Sequence, residues 1–332
     1  MENAPAATAS PAVSSGPIGR NRNLIARYPD QRKVIVNVDG SQAEARVVAR
    51  LCTALLGHSR FDDIFMSGRK IHKVIASIIF KVPEDKIPKD NTPGAMYYTG
   101  KRAMHAYDNG MGPGKFAILT RKTTAEAERL LKVCEKEFPE VATGFHSWCR
   151  KLMQTTKTMV NPYGRPHLFL DRINDELFRR AYTYYQQSGI GDHVKLAFTD
   201  FYYQAKDEWE SDLLLTTHDS ITYQVLANPQ WIWESWLLAK ALMERPMKIQ
   251  QLELIVPAEG TLGRSYQKQY PFKSINDIER LLFKLRYRDG KTFSGFPQGV
   301  SDAYGGPGVS SHIPLLDGAE FNLWGSPDEH LP

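Results

Sequence analysis

The chain has little cysteine, no long apolar run and no basic residue near its C-terminal end, and each shortage closes off a class of protein. Three cysteines in 332 residues, Cys52, Cys134 and Cys149, are odd in number, far apart and without a Cys-x-x-Cys pair. That argues against a disulfide framework or a zinc site and for a reducing, intracellular, cytoplasmic setting. No run of 18 or more apolar residues occurs, so no membrane span and no membrane partner are expected. The first residues lack the basic start and apolar core of a signal peptide, and residues 1–18 read as a disordered leader. After Lys291 there is no Lys or Arg, only the acids Asp302, Asp317, Glu320, Asp328 and Glu329. With its Gly, Pro and Ser content, the stretch 288–332 reads as a loop-rich acidic tail.

What is present is a basic body. The first 291 residues hold all 42 Lys and Arg against 32 acids, a net charge of +10. Such a balance suits nucleic acid as a partner, although a solvated surface has the same composition. Apolar residues make up 42% of the chain, enough to fill a core, and the length allows one large or two ordinary domains.

Two carboxylates stand at the ends of strand-like runs. Val34-Ile35-Val36-Asn37-Val38-Asp39 is β-branched and ends in an acid, and an apolar helical face follows at Ala43, Ala45, Val47, Val48, Leu51 and Leu55. Further on, Leu213 to Thr217 enters His218-Asp219, and Ile221, Tyr223 and Val225 alternate with Thr222 and Gln224 as in a half-buried strand. Asp219 therefore sits at the tip of a predicted hairpin. Asp in a turn is by itself an ordinary matter of local hydrogen bonding; a second strand-borne acid gives it another meaning.

Between the two runs the pattern is helical. A helix is expected from Gly68 to Val82, and another opening at Thr92-Pro93, with Thr as cap and Pro at its first position, and ending near Gly110 or Gly112. On the latter, Tyr97, Lys101, His105 and Asn109 recur every four residues and share a face with slow drift. That face suits a polyphosphate, or is a plain solvated stripe. Further helices are expected over 123–138, 139–158, 174–189, 192–206, 229–243 and 275–285, with short strands around the turn Asn161-Pro162-Tyr163-Gly164-Arg165 and a strand over 248–256. Two carboxylates on separate strands, a lysine-bearing helix between them and a basic body suit phosphoryl transfer assisted by two divalent ions, since Mg²⁺ prefers oxygen ligands and binds through one or two acids plus substrate phosphates.

These blocks resemble DNA polymerase family A. Asp39-Gly40-Ser41-Gln42-Ala43-Glu44-Ala45-Arg46 is similar to the family's first palm motif, Asp-Tyr-Ser-Gln-x-Glu-x-Arg; Ile71-His72 through Ile79-Phe80 resembles a fingers helix; Gly100-Lys101 with Ala106 to Gly112 resembles the second motif; and Leu215 to Ile221 resembles the third, which normally ends His-Asp-Glu. Phe138-Pro139 and Tyr163-Gly164-Arg165 also resemble family positions, and the order and spacing agree from about Asn23 to Tyr266. The resemblance implies an α+β fold: a palm of antiparallel sheet with helices, carrying a mostly helical fingers insertion. It places palm residues at 19–57 and 209–287 and fingers at 58–208.

It also implies roles. Asp39 and Asp219 would be catalytic and hold two Mg²⁺ ions, with Mn²⁺ as a substitute. Lys101 would be catalytic and bind the incoming dNTP together with Tyr97, His105 and Asn109, while Glu44 would line the sugar pocket and exclude ribonucleotides. His218, Arg165, Arg179, Gln187, Arg46 and Gln42 would meet or support the DNA primer-template. The chain departs from the family pattern at Tyr97 (commonly Arg), His105 (Phe or Tyr), Asn109 and Gly40 (Tyr), Thr183 (Asn) and Ser220 (Glu). Only some 38 residues precede Asp39, too few for the thumb and exonuclease-like domains the family usually carries there. The expectation is a phage-type, split or truncated polymerase whose thumb, and perhaps exonuclease, comes from a second polypeptide. Two rivals remain: a catalytically degenerate polymerase-like subunit that only binds DNA, and a His-Asp metal phosphohydrolase, which would need a His cluster that this sequence lacks.

Overall fold

The computed structural model describes residues 33–205, 208–266 and 268–286. The expected leader, residues 19–32 and the acidic tail lie outside the described residues. Strand β1 (Lys33–Gly40) is the β-branched run, and Val34, Val36 and Val38 are fully buried. It leads through a turn into α1 (Ala43–Leu56), whose residue before the first turn, Gln42, takes a left-handed φ of 55°. Next come α2 (Arg60–Met66), capped by the Ser59 hydroxyl, and α3 (Ile71–Phe80). They are followed by α4 (Met96–Asp108), α5 (Pro113–Thr120) and α6 (Thr124–Glu137). Thr123 and Glu126 cap α6 reciprocally, each accepting from the other's backbone N–H. A π-helical turn over Val141–His146 runs into α7 (Ser147–Thr155), and β2 (Thr158–Val160) pairs with β3 (Pro166–Leu168).

Helix α8 (Asp175–Ala205) then delivers the chain to β4 (Asp212–Thr216) and β5 (Ser220–Leu226). Helix α9 (Pro229–Met243) starts at Asn228, whose side chain accepts from the N–H groups of Gln230 and Trp231. The small hairpin β6 (Met247–Ile249) and β7 (Leu252–Leu254) precedes β8 (Ala258–Ser265), β9 (Lys268–Phe272) and α10 (Ile275–Arg286). Five strands form one antiparallel sheet in the order β4-β5-β1-β8-β9. Helix α9 packs on β1, β5 and β8, and α8 reaches β4 and β5. Tyr223 shows how this layer is closed: it is buried against Phe201 of α8, ring centroids 4.6 Å apart, and its hydroxyl meets Ser235 Oγ of α9 at 3.1 Å. The molecule is α+β, as expected, with the sheet carrying the ends of β1 and β5 side by side.

Several local expectations change. Strand β5 is buried on both faces rather than half-buried: the polar alternates Thr222 and Gln224 are inside because Asn37 and Asp212 accept their hydrogen bonds at 2.7 and 2.8 Å. The two helices expected over 174–189 and 192–206 are one. Gly189 does not break it; a Cβ there would come within 2.9 Å of the Pro162 ring, so the glycine admits the neighbouring turn. Thr92-Pro93 does not cap α4, which begins at Met96 after Ala95 with no side-chain cap. The expected strand 248–256 is two short strands reversed at Gln250, φ 54°. Strands β8 and β9 were not expected at all. The three cysteines are free and buried, and among the described residues no helix is long and apolar enough to cross a membrane.

Candidate active site

Three neighbouring strands present acids at one end of the sheet. Asp39, next to last in β1, is paired across to Ser220 of β5 on one side and to Glu259 of β8 on the other. Asp219 immediately precedes Ser220. The hairpin tip is fastened to β1 by the Gly40 N–H donating to the Asp219 carbonyl at 2.8 Å, and the Ser41 N–H donates to the Pro257 carbonyl at the same distance. Ser220, at the position where the resembling motif has a third acid, is buried and its hydroxyl meets that of Thr217 at 2.7 Å. Thr217 also donates to Asp219 Oδ1 at 3.2 Å. In this chain the position serves the shape of the turn rather than its charge.

Asp39 and Asp219 line a cavity of about 320 Å³ together with Gln42, Glu44, Tyr97, Lys101, His105 and His218. Eight of the residues singled out in the sequence thus meet in one place, from β1, α1, α4 and the β4–β5 turn. Glu44 lies between two imidazoles, with Oε2 at 3.7 Å from His105 Nδ1 and Oε1 at 3.6 Å from His218 Nε2; His218 Nε2 is in turn 3.5 Å from Asp219 Oδ2. Partial burial lowers the His105 pKa, against the pull of Glu44, and the charges of Arg102, Lys101 and His218 push the same way. Gln42 has neither side-chain polar atom hydrogen-bonded, although both are buried, so this amide at the cavity wall is free to pair with a ligand. Tyr97 is almost wholly packed, at 5% exposure, with its ring edge-on to His72.

The electrostatics of the acids would suit a cation. Burial, then the charges of Asp219 and Glu259, push the Asp39 carboxyl up to about 7, while Lys101 and Lys89 pull it down. Two hard oxygen donors that repel one another fit a divalent ion such as Mg²⁺. Among the described residues no group of three or more His, Cys, Asp or Glu side chains is placed to hold a metal. The pair would therefore depend on substrate phosphate oxygens, the usual manner for Mg²⁺. A metal held at Asp39 would compete with a proton: below about pH 7 the neutral acid prevails, and apparent Mg²⁺ affinity is expected to fall by about tenfold per pH unit. Titration calorimetry at pH 6 and 8 checks this; equal affinity at both would contradict it.

The remaining expected residues lie elsewhere. Arg179 and Gln187 line a second, larger cleft of about 750 Å³ with Asn109, Lys115, Arg180 and Tyr184. Asn109 ends α4, where its Oδ1 accepts from Thr183 at 2.7 Å and from Gln186 at 3.2 Å, tying α4 to α8. His105 belongs to both clefts and joins them. Arg46 supports the strand-to-helix turn, with Nε donating to the Ser41 carbonyl at 2.9 Å and the guanidinium 4.5 Å over Phe65. Arg165 is not brought to the cavity; it pairs with Asp192 of α8 at 2.8 Å. Sequence reasoning missed Lys70, His72, Lys89, Asp108, Gln186 and Glu259, all of which line the first cavity. His72 and Asp108 stand in quoted motifs and were within reach. Glu259 was hidden with the unexpected strand β8.

A family description for DNA polymerase family A matches residues 17–268. The chain belongs to DNA polymerase family A. No curated protein matches it. Among solved structures, it is similar to the POL domain of Pol1 from M. smegmatis, in complex with DNA primer-template and dNTP. The TM-score is 0.56 at 21% identity, over 70% of this chain and 40% of that one. At this identity the likeness concerns the fold, and this family A chain spans well under half of the polymerase domain it matches.

Proposed function

We propose that this family A chain carries out template-directed DNA synthesis, adding deoxynucleotides from dNTPs to a primer 3′-hydroxyl by two-metal phosphoryl transfer, as the palm and fingers of a phage-type split polymerase. The observation that carries the reading is the convergence of Asp39 and Asp219 from two paired strands in one cavity that also holds Lys101. In this reading residues 19–57 and 209–287 are palm, 58–208 are fingers, and a second polypeptide brings the thumb. The solved relative's bound primer-template and dNTP support the same partners here.

Asp39 and Asp219 would hold the divalent ions. When bound, these would lower the charge on the phosphates and favour the ionised primer hydroxyl. The protein's own part is positioning and neutralisation. Lys101 offers a point charge to the triphosphate. Glu44, held between His105 and His218, forms the wall against which the sugar would rest. His218 faces the primer end, and the Arg179 and Gln187 cleft receives the template. The primer hydroxyl attacks the α-phosphate in line and pyrophosphate leaves, with no covalent enzyme intermediate.

Mg²⁺-dependent primer extension by the chain, alone or with its thumb-bearing partner, tests the reading, and Asp219→Asn is expected to abolish it. Primer-template binding without incorporation under every partner condition would instead favour a subunit that only binds DNA, a role consistent with the serine at position 220. Processive extension by the chain alone at physiological salt would overturn the split form, because a missing thumb leaves DNA binding weak and strongly salt-dependent.

A further inference from the structure

We propose that Lys70 and Lys89 complete, with Lys101, a three-lysine seat for the nucleotide triphosphate, and that Glu259 occupies the two outer lysines in the nucleotide-free protein as a carboxylate stand-in for phosphate. The proposal rests on the polymerase reading and deepens it. All four side chains line the cavity that holds Asp39 and Asp219. Lys70 is the residue before α3, which has no side-chain cap, and His72 in the first turn of that helix lines the same cavity. The positive end of α3 and its lysine therefore lie beside the same space. Lys89 comes from the loop before α4. Glu259 divides its two oxygens between them, with Oε1 accepting from Lys70 Nζ at 3.1 Å and Oε2 lying 3.7 Å from Lys89 Nζ. A phosphate group with two free oxygens presents the same fork.

The cavity needs these charges. Tyr97 stands where the family pattern commonly has an arginine, and its ring is packed against His72. Helix α4 therefore brings only Lys101 to the cavity as a full positive charge. Glu259 is not suited to act as a metal ligand while both its oxygens face lysines. Burial raises its carboxyl, but the hydrogen bond from Lys70 and the charges of Lys70 and Lys89 outweigh this and hold it below the ordinary glutamate value. Its pairs are partly exposed, with side chains 38% to 57% accessible, so each is weak and screened. A triphosphate, with more charge and more oxygens, displaces such a partner readily. The exchange makes Glu259 a competitor of the nucleotide, and its removal should help binding rather than harm it.

The test uses the full chain with inorganic tripolyphosphate and, separately, with Mg²⁺-dNTP in primer extension. Lys70→Ala and Lys89→Ala are each expected to weaken tripolyphosphate binding by about tenfold, the worth of a charge-assisted hydrogen bond. Lys70→Arg and Lys89→Arg should keep most of it, which separates lost charge from lost fold. Glu259→Gln is expected to tighten tripolyphosphate several-fold and to lower the dNTP KM. Unchanged tripolyphosphate affinity in both alanine variants overturns the seat, and so does a Glu259→Gln protein that loses Mg²⁺-dependent incorporation at unaltered tripolyphosphate affinity. If the lysines govern tripolyphosphate binding yet no variant or wild-type chain ever incorporates nucleotide, the seat stands and the polymerase reading falls. If incorporation proceeds with unaltered dNTP KM in both alanine variants, the polymerase reading stands and the seat falls.

Discussion

Replacing Asp39 by Asn is expected to lower nucleotide incorporation by about 10³-fold while making the metal-free protein more stable at pH 8. The two effects come from the same environment. Burial and the charges of Asp219 and Glu259 raise the Asp39 carboxyl to about 7, whereas in the unfolded chain it returns to the ordinary range near 4. A carboxyl raised on folding binds its proton more tightly in the native state. Its favourable contribution is therefore complete below about pH 4 and is lost as pH rises through about 7. Above that the ionised Asp39 opposes folding by about 2–4 kcal/mol unless a cation is bound. Asparagine carries no charge to desolvate and should recover part of this. Asp219→Asn should lose activity equally but gain less stability, because it removes only one of the charges acting on Asp39. Thermal unfolding in EDTA at pH 5 and pH 8, beside single-turnover primer extension, reads both. Equal stability of wild type and Asp39→Asn at pH 8 would mean that Asp39 is not the strained acid, and full activity would remove it from the site.

The two candidate aspartates are legible in the sequence because each follows a short apolar or β-branched run that reads as a strand. Val34 to Val38 is almost wholly β-branched, and the hairpin flanks Asp219 with strand residues on both sides. The lysine face of α4 was equally legible, since residues four apart on a helix share a side whatever else surrounds them. Strand β8 was not. Its Ala258-Glu259-Gly260-Thr261-Leu262-Gly263 has small residues where a strand usually shows branched ones. Their reason is tertiary: a Cβ at Gly260 would lie 2.4 Å from Trp236 Nε1, and one at Gly263 would lie 2.1 Å from the Lys268 carbonyl oxygen. The glycines let β8 pack beneath α9 and beside β9, and composition alone reads them as turn. Glu259 was lost with them. The error at Gly189 has the same origin, a close approach by Pro162 that no local pattern announces. What stayed hidden is the part of the site set by packing between distant segments.

Gly100→Ala is expected to destabilise the protein by about 3 kcal/mol, the upper end of the usual cost of overpacking, and to reduce incorporation even where the fold survives. Gly100 sits in the interior of α4, a position at which alanine ordinarily gains stability. Here the added methyl would stand 2.5 Å from the His72 carbonyl oxygen and 2.8 Å from the Ala76 nitrogen. Both are backbone atoms of α3 and cannot swing aside. The two helices must separate, breaking the packing of Tyr97 with Ala76 and Ile87 and leaving an overpacked contact of the costly kind. The functional consequence follows from what each helix carries. Helix α3 begins beside Lys70 and holds His72, and α4 holds Lys101 one residue after the glycine. Moving them apart shifts these side chains relative to Asp39 and Asp219, which are anchored on the sheet. The expected result is a dNTP KM raised more than primer-template affinity is weakened, since Arg179 and Gln187 of the second cleft are carried by α8 while only its other wall, with His105 and Asn109, comes from α4. Equal losses of nucleotide and primer-template affinity would mean that the substitution acts through general unfolding. A stability change near zero would show that α3 and α4 are not held against each other at this glycine.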